Sequence, residues 1–330
     1  MTSTLKRVVA FSLVGAGLVA LFFVAVNTGS LKVSPAELLR GLFVSYDEKV
    51  ATVYDLRLPR IFIAIVAGAA TAVSGALLQA AIRNPLADPG IIGISSGASL
   101  VSVVVVAAAP ALIAFTPFFA TLGGLASFLL VYSLSWRGGL SPLRIILVGV
   151  AVSACFTGLM SAFNAGTGST LSGVASLVNG TITMKTWSDL TVLCAYALPS
   201  LVVALVLCRR ADLLALEDKQ ARGLGFDVDF NRMLVSFVAV LLASIATAIV
   251  GPISFLGLIV PHCARICVGT EHRALIPFSM LCGAFCLLAA DTIGRTVVAP
   301  YEISAAVIMS VVGCPVFIAL LRGARGSYGE

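Results

Sequence analysis

The chain of 330 residues is 59% hydrophobic and 11% charged, whereas soluble domains carry about 25% charged residues. With a mean hydropathy of +1.08, this balance excludes a soluble enzyme and points to an all-α integral membrane protein, because apolar runs near the ~20 residues of a spanning helix recur along the whole length. The net charge of +6 does not mark a nucleic-acid binder, since the basic residues are scattered through loops and form no aromatic-studded face.

Taken in chain order, apolar windows fall at 8–27, 60–82, 93–109, 117–135, 143–164, 188–208, 233–250, 254–268, 274–293 and 304–321, which predicts ten transmembrane helices in one domain over 1–330. The first follows Lys6 and Arg7 as a signal peptide would, but Ala25 and Asn27 make a weak cleavage site, so it reads as the first span. The eighth is short and follows a Gly251-Pro252 break. With the N-terminus inside, the predicted inner segments hold twice as many Lys and Arg as the outer ones. That is the positive-inside bias, and an even number of crossings puts both termini in the cytoplasm.

Between the second and third windows stands "RNPLADPG", Arg83 to Gly90. Its prolines bias Asn84 and Asp88 away from helical geometry, and Asn and Asp cap neighbouring backbone groups, so the joint reads as a turn of fixed shape. Small residues crowd the helices, as in "AGAATAVSGALLQAA" and "LVGVAVSACFTGLMSAF", and permit close helix contact. Gly149, Ser153 and Thr157 share one face of the fifth span; both packing and a polar path stay open for them. "ATAVSG" (70–75) echoes "ATAIVG" (246–251), which allows two inverted five-helix repeats.

The inner loop 209–232 carries an amphipathic signal, with Leu213, Leu216 and Gln220 on one face of a helix ended by Gly223 and Gly225. Asp291 is an acid inside a predicted span; its i, i+4 spacing to Arg295 suggests a structural pair, with a proton relay as the alternative. Histidine occurs only at 262 and 272, no G-x-x-x-x-G-K-[ST] or H-E-x-x-H is present, and no catalytic or metal site is expected. Cys263 and Cys267, with His262 and His272, are read as packing residues ahead of soft-metal ligands. The eight cysteines lie almost entirely in apolar runs, so a disulfide framework is not expected.

"RLPR" (57–60), "RNPLADPGIIG" (83–93), "GPISFLGLIVPHCAR" (251–265), "GTEHRALIP" (269–277) and "ADTIGR…APYEI…GCPVFIALLR" (290–322) together resemble the FecCD-type permeases, the membrane subunits of ABC importers for ferric siderophores, haem and cobalamin. "TEHR" departs from the usual Asp-His-Arg and keeps its charge. The resemblance implies a bacterial cytoplasmic-membrane permease without its own ATPase site or bound cofactor. ATP and Mg would be used by two partner ATPase subunits. A second permease, in a heterodimer ahead of a homodimer, and an extracytoplasmic binding protein complete the expected assembly.

It further implies that Arg57, Arg60 and Arg295 receive acidic residues of the binding protein, with Asp55 and Glu302 as nearby intramolecular partners and helix capping as a second role for Arg60. "QARGLG" resembles the coupling segment of ABC importers, which marks Leu216, Gln220, Ala221, Arg222, Leu224 and Gly225 as the ATPase contact. Asn84, Leu86 and Ser141 become candidates for a cytoplasmic gate, against a purely structural turn. Ser153, Thr157, Ser161, Ala305, Ser310 and Gly313 become candidates for the lining of the pathway. The variant of the motifs here looks most like the ferric-siderophore branch, with haem or cobalamin next and an ion-coupled secondary carrier as the rival class.

Overall fold

The computed structural model describes residues 3–28, 53–135, 142–166, 180–298 and 301–323, and every regular element among them is helical. In chain order the α-helices are α1 (Ser3–Asn27), α2 (Leu58–Ile82), α3 (Ile94–Ala108), α4 (Thr116–Ser135), α5 (Pro142–Gly166), α6 (Trp187–Val206), the short α7 (Cys208–Leu214) and α8 (Asp218–Gly223), then α9 (Val228–Val250), α10 (Leu256–Val268), α11 (His272–Thr296) and α12 (Ala305–Gly323). Each predicted apolar window coincides with one of the longer helices. By length and composition seven stretches among the described residues are fit to cross a membrane, those holding α1, α2, α4, α5, α6, α9 and α11, while α3, α10 and α12 are apolar but shorter.

Local chemistry sets the helix ends. Asp227 caps α9 by accepting the Phe230 N–H at 3.0 Å, the ordinary way to satisfy an orphan donor of the first turn. Helix α2 stops where Arg83 turns left-handed at φ 52°, ahead of Pro85. Helix α10 follows Pro252 and opens from Phe255, a non-glycine residue at φ 68°. Pro199, Pro261, Pro277 and Pro315 lie inside helices; the Gly257 carbonyl four residues before Pro261 accepts Gln79 Nε2 of α2 at 3.2 Å, one way a neighbouring helix satisfies a freed carbonyl.

Helices α2 and α9 form the centre, with 83% and 78% of their most apolar window buried, against 6% for α1 and 22% for α5 and α6. Helix α2 packs on α11 and α9 and also meets α10 and α6; α4 bridges α3 to α9, and α12 leans on α11 and α10. Glycines permit these crossings. A Cβ on Gly68 would collide with the Gly283 carbonyl of α11, and one on Gly75 with the Gly257 carbonyl of α10, so backbone meets backbone where bulky side chains would hold the helices apart.

The amphipathic helix predicted in 209–232 is two short helices instead. Asp212 of α7 is held by His272, and the Leu216 carbonyl accepts Arg83 Nη1 at 2.8 Å. Glu217 is consequently extended (ψ 142°), and the helix restarts at Asp218. These tertiary contacts override the local helical pattern.

Candidate functional site

Two ends of the bundle carry the charged chemistry. At one end meet the start of α2, the end of α1, the last turn of α11 and the segment before α12. Arg60 Nε and Nη2 grip Asp291 at 2.8–3.0 Å, and Arg60 Nη1 reaches Glu302 at 2.9 Å. Arg295 Nε stands 3.3 Å from Asp291 Oδ2, close enough for charge pairing though not aligned as a hydrogen bond. Arg57 Nη1 donates to the Val26 carbonyl at 2.7 Å and Arg295 Nη2 to Ala25 at 3.5 Å, so two cations sit on the carbonyl end of α1, where the helix dipole favours positive charge.

The expected docking residues are therefore gathered, but with two corrections. Arg60 and Arg295 lie inside the terminal turns of α2 and α11, and their side chains are only 10% and 7% exposed rather than open to a partner. Asp291 does pair with Arg295, but its principal partner is Arg60. Glu302 is held below the ordinary carboxylate range: partial burial pushes its carboxyl up, and the charge and bond of Arg60, the Thr183 hydroxyl and Arg295 more than offset that. Trp187 at the start of α6 adds an aromatic rim, its Nε1 donating to the Tyr54 carbonyl at 3.1 Å, as suits a membrane interface.

The turn 83–93 is rigid and internally bonded. Asn84 Oδ1 accepts the Leu86 N–H at 2.9 Å, and Asp88 Oδ1 accepts Gly90 and Ile91 at 2.8 and 3.2 Å. Asn84 is buried and shapes the turn, Leu86 is half-buried, and Ser141 lies outside the described residues. Asp88 is fully buried, its Oδ2 has no partner among the described residues, and burial pushes its carboxyl up to about 6 against those backbone bonds.

Against this turn packs α5: Ser153 Oγ donates to the Gly90 carbonyl at 3.1 Å, and Gly149 leaves no room for a Cβ beside Ile91 and Ile92. Gly149 thus serves packing, while Thr157 and Ser161 are exposed. A cavity of about 180 Å³ separates Ser153 and Gly90 from Phe255. Gly313 presses on Phe255, where an added Cβ would lie 2.8 Å from the Phe255 Cβ. Ser310 is half-buried and its hydroxyl bonds back to the Ala306 carbonyl at 2.9 Å. Ala305 departs from expectation: at 2% exposure it belongs to the packed core, because the first turn of α12 is pressed against α11. Phe255 is the residue that sequence reasoning missed; the "GPISF" break was visible, but a left-handed phenylalanine packed on Gly313 of α12 was not.

The opposite end holds the short helices. Asp218 receives Arg83 from the end of α2 at 3.1 Å and Arg232 from the start of α9 at 2.8 Å. Slight burial pushes the Asp218 carboxyl up, but Arg232, Arg83 and Arg222 hold it below the usual range. Asp212 accepts both the backbone N–H (2.8 Å) and the ring Nδ1 (2.7 Å) of His272 at the start of α11. Arg7 of α1 ties to Glu271 at 3.0 Å at this same end. Of the expected coupling residues, Leu216, Gln220, Arg222, Leu224 and Gly225 are exposed together and Ala221 packs inward. Among the described residues no group of three or more His, Cys, Asp or Glu side chains gathers as for a metal.

Known proteins of similar sequence and shape agree with this layout. The model of the FecCD transport family matches residues 17–323. The chain is 41% identical over 304 residues to the probable heme-iron transport system permease protein IsdF of several Staphylococcus aureus strains, covering 92% of each chain. A solved metal-chelate type ABC transporter in an inward-facing conformation superposes with a TM-score of 0.79 at 29% identity, covering 96% of this chain and 99% of that one. PsaBC from Streptococcus pneumoniae, at 14% identity and a TM-score of 0.56 over 87% of this chain and 95% of that one, shares the fold. With its apolar helices the chain is a multi-pass membrane permease, and it belongs to the FecCD transport family of ABC importer permeases.

Proposed function

We propose that the chain is the permease subunit of a binding-protein-dependent importer of an iron chelate, with haem as the first cargo to test and a ferric siderophore as the second. The observation that carries the transport reading is the pair α5 and α12. Thr157, Ser161, Val311 and Val312 are exposed on the outside of this single chain, and small or weakly polar residues on an uncovered face suit a path completed by a second permease. The family relatives named for heme-iron transport support haem.

In this reading all ten apolar helices cross the bacterial cytoplasmic membrane and both termini are cytoplasmic. The Arg57, Arg60 and Arg295 end faces outward and meets acidic residues of a binding protein, since charge-assisted pairs at a wet rim favour fast and reversible docking. Helices α7 and α8 face two ATPase subunits, which use ATP and Mg. Because Asp218 and Asp212 bind α8 and α7 to the ends of α2, α9 and α11, a displacement of the short helices is delivered to the bundle core as a rigid-body movement. Asn84 and Leu86 of the stiff turn, with Ser141, then border the exit, and the second permease is a different chain.

The test is purification of the tagged chain with its neighbours from the native membrane. Recovery of an ATPase bearing a P-loop, and ATP-dependent uptake of radiolabelled haem or of ferric siderophore by the reconstituted complex, are the expected results. Uptake driven by a proton or sodium gradient without any ATPase would overturn the proposal.

A further inference from the structure

Arg60 presents two edges to two different carboxylates. Its inner edge, Nε and Nη2, lies on Asp291, which is 1% exposed; its outer edge, Nη1, lies on Glu302, whose side chain is 38% exposed. A buried pair is costly to part, whereas a partly exposed one is weak and exchangeable. Glu302 has a second tether, the Thr183 hydroxyl at 2.9 Å. It stands three residues before Ala305, where α12 begins, and the Ile303 N–H is bonded to the Gly294 carbonyl of α11 at 2.9 Å. Gly294 has no side chain, and the Ile303 carbonyl occupies the place where a Cβ would stand. The outer carboxylate is thus attached directly to the segment that leads into α12.

The charged groups acting on Arg295 are Asp291, Arg60, Glu302 and Arg57. A carboxylate arriving from outside is attracted by these arginines and repelled by Glu302, which already occupies the accessible edge of Arg60. We propose that Glu302 is an internal stand-in for a partner's carboxylate: it holds Arg60 in the undocked permease, is exchanged for an acidic side chain of the binding protein, and on leaving frees the segment before α12. The inference rests on the docking reading above. Exchange of one carboxylate for another keeps docking reversible, and only the difference between the two arrangements biases α12.

The experiment uses the complete transporter, permease with its ATPase in lipid nanodiscs, titrated with its binding protein. Replacing Glu302→Gln vacates the outer edge without changing shape, and tightening of binding by about tenfold is expected. Thr183→Val removes only the tether and tightens binding in the same direction by less. Arg57→Glu weakens binding. In a background lacking native cysteines, Ser310→Cys is labelled faster in the Glu302→Gln transporter alone, as it is in the parent transporter once the binding protein is added. A merely structural Glu302 predicts loss, not gain, of affinity. Unchanged or weaker binding in both Glu302→Gln and Thr183→Val, with Arg57→Glu still weakening it, overturns the stand-in and leaves the docking reading intact. No effect of Arg57→Glu overturns both.

Discussion

Asp88 holds one carboxylate oxygen on two backbone N–H groups and buries the other without a partner among the described residues. Its carboxyl is pushed up to about 6, above the roughly 3.9 of an unfolded aspartate. Between those values the folded state binds the extra proton, so this group's contribution to stability falls as pH rises through the window and stays lost above it. Asp88→Asn keeps the oxygen that accepts Gly90 and Ile91. The variant is expected to melt above the parent at pH 7.5 and to lose that advantage near pH 4; an offset that is independent of pH counts against the argument. Asp291, by contrast, has both carboxylate oxygens bonded to Arg60. Asp291→Ala strands Arg60 and Arg295 in a buried place, and breaking such a pair costs about 3–5 kcal/mol, to be read as a fall in detergent melting temperature. The i, i+4 half of this cluster was legible in sequence, because Asp291 and Arg295 share a helix. The Arg60 half was not, since its two residues are 231 apart and only the α2–α11 crossing joins them.

Helix crossings are decided by the smallest residues. On α2, Gly68 and Gly75 are seven positions apart and meet α11 and α10 through backbone carbonyls. Gly75→Val forces side-chain carbons into the Gly257 carbonyl, and overpacking of this kind costs about 1–3 kcal/mol; a loss of folded yield and a lower melting temperature are expected, while Gly223→Ala, which meets nothing within 4 Å, is tolerated. The small-residue runs announced close packing in general but did not say which glycine faces which helix. The segment 209–232 teaches the complementary point. Its periodicity favoured one helix, and two short ones form because Arg83 and His272 claim groups on either side of the break. Leu224 at the end of α8 is 70% exposed, so Leu224→Glu is expected to leave the melting temperature unchanged and to abolish stimulation of ATP hydrolysis by the binding protein.

At the scale of the whole chain, the outward faces of α5 and α12 tie the single subunit to an assembly. Cysteines placed at 157 and 161 in a cysteine-free background are expected to react with a water-soluble maleimide in at least one nucleotide state, and failure at both positions in every state excludes α5 from the path. The sequence by itself determined the membrane character, the ten apolar helices, the asymmetry of charge and the family resemblance that the comparisons bear out. Each of these is carried by composition, by periodicity along one helix or by motifs contiguous in the chain. Only the tertiary structure decided that Arg60 is shared between Asp291 and Glu302, that Ala305 is core and that Phe255 lines one cavity with Ser153 and packs on Gly313. Those outcomes depend on which helices touch and at what height, and a helix broadcasts its apolar face along the sequence without naming the residue that will meet it.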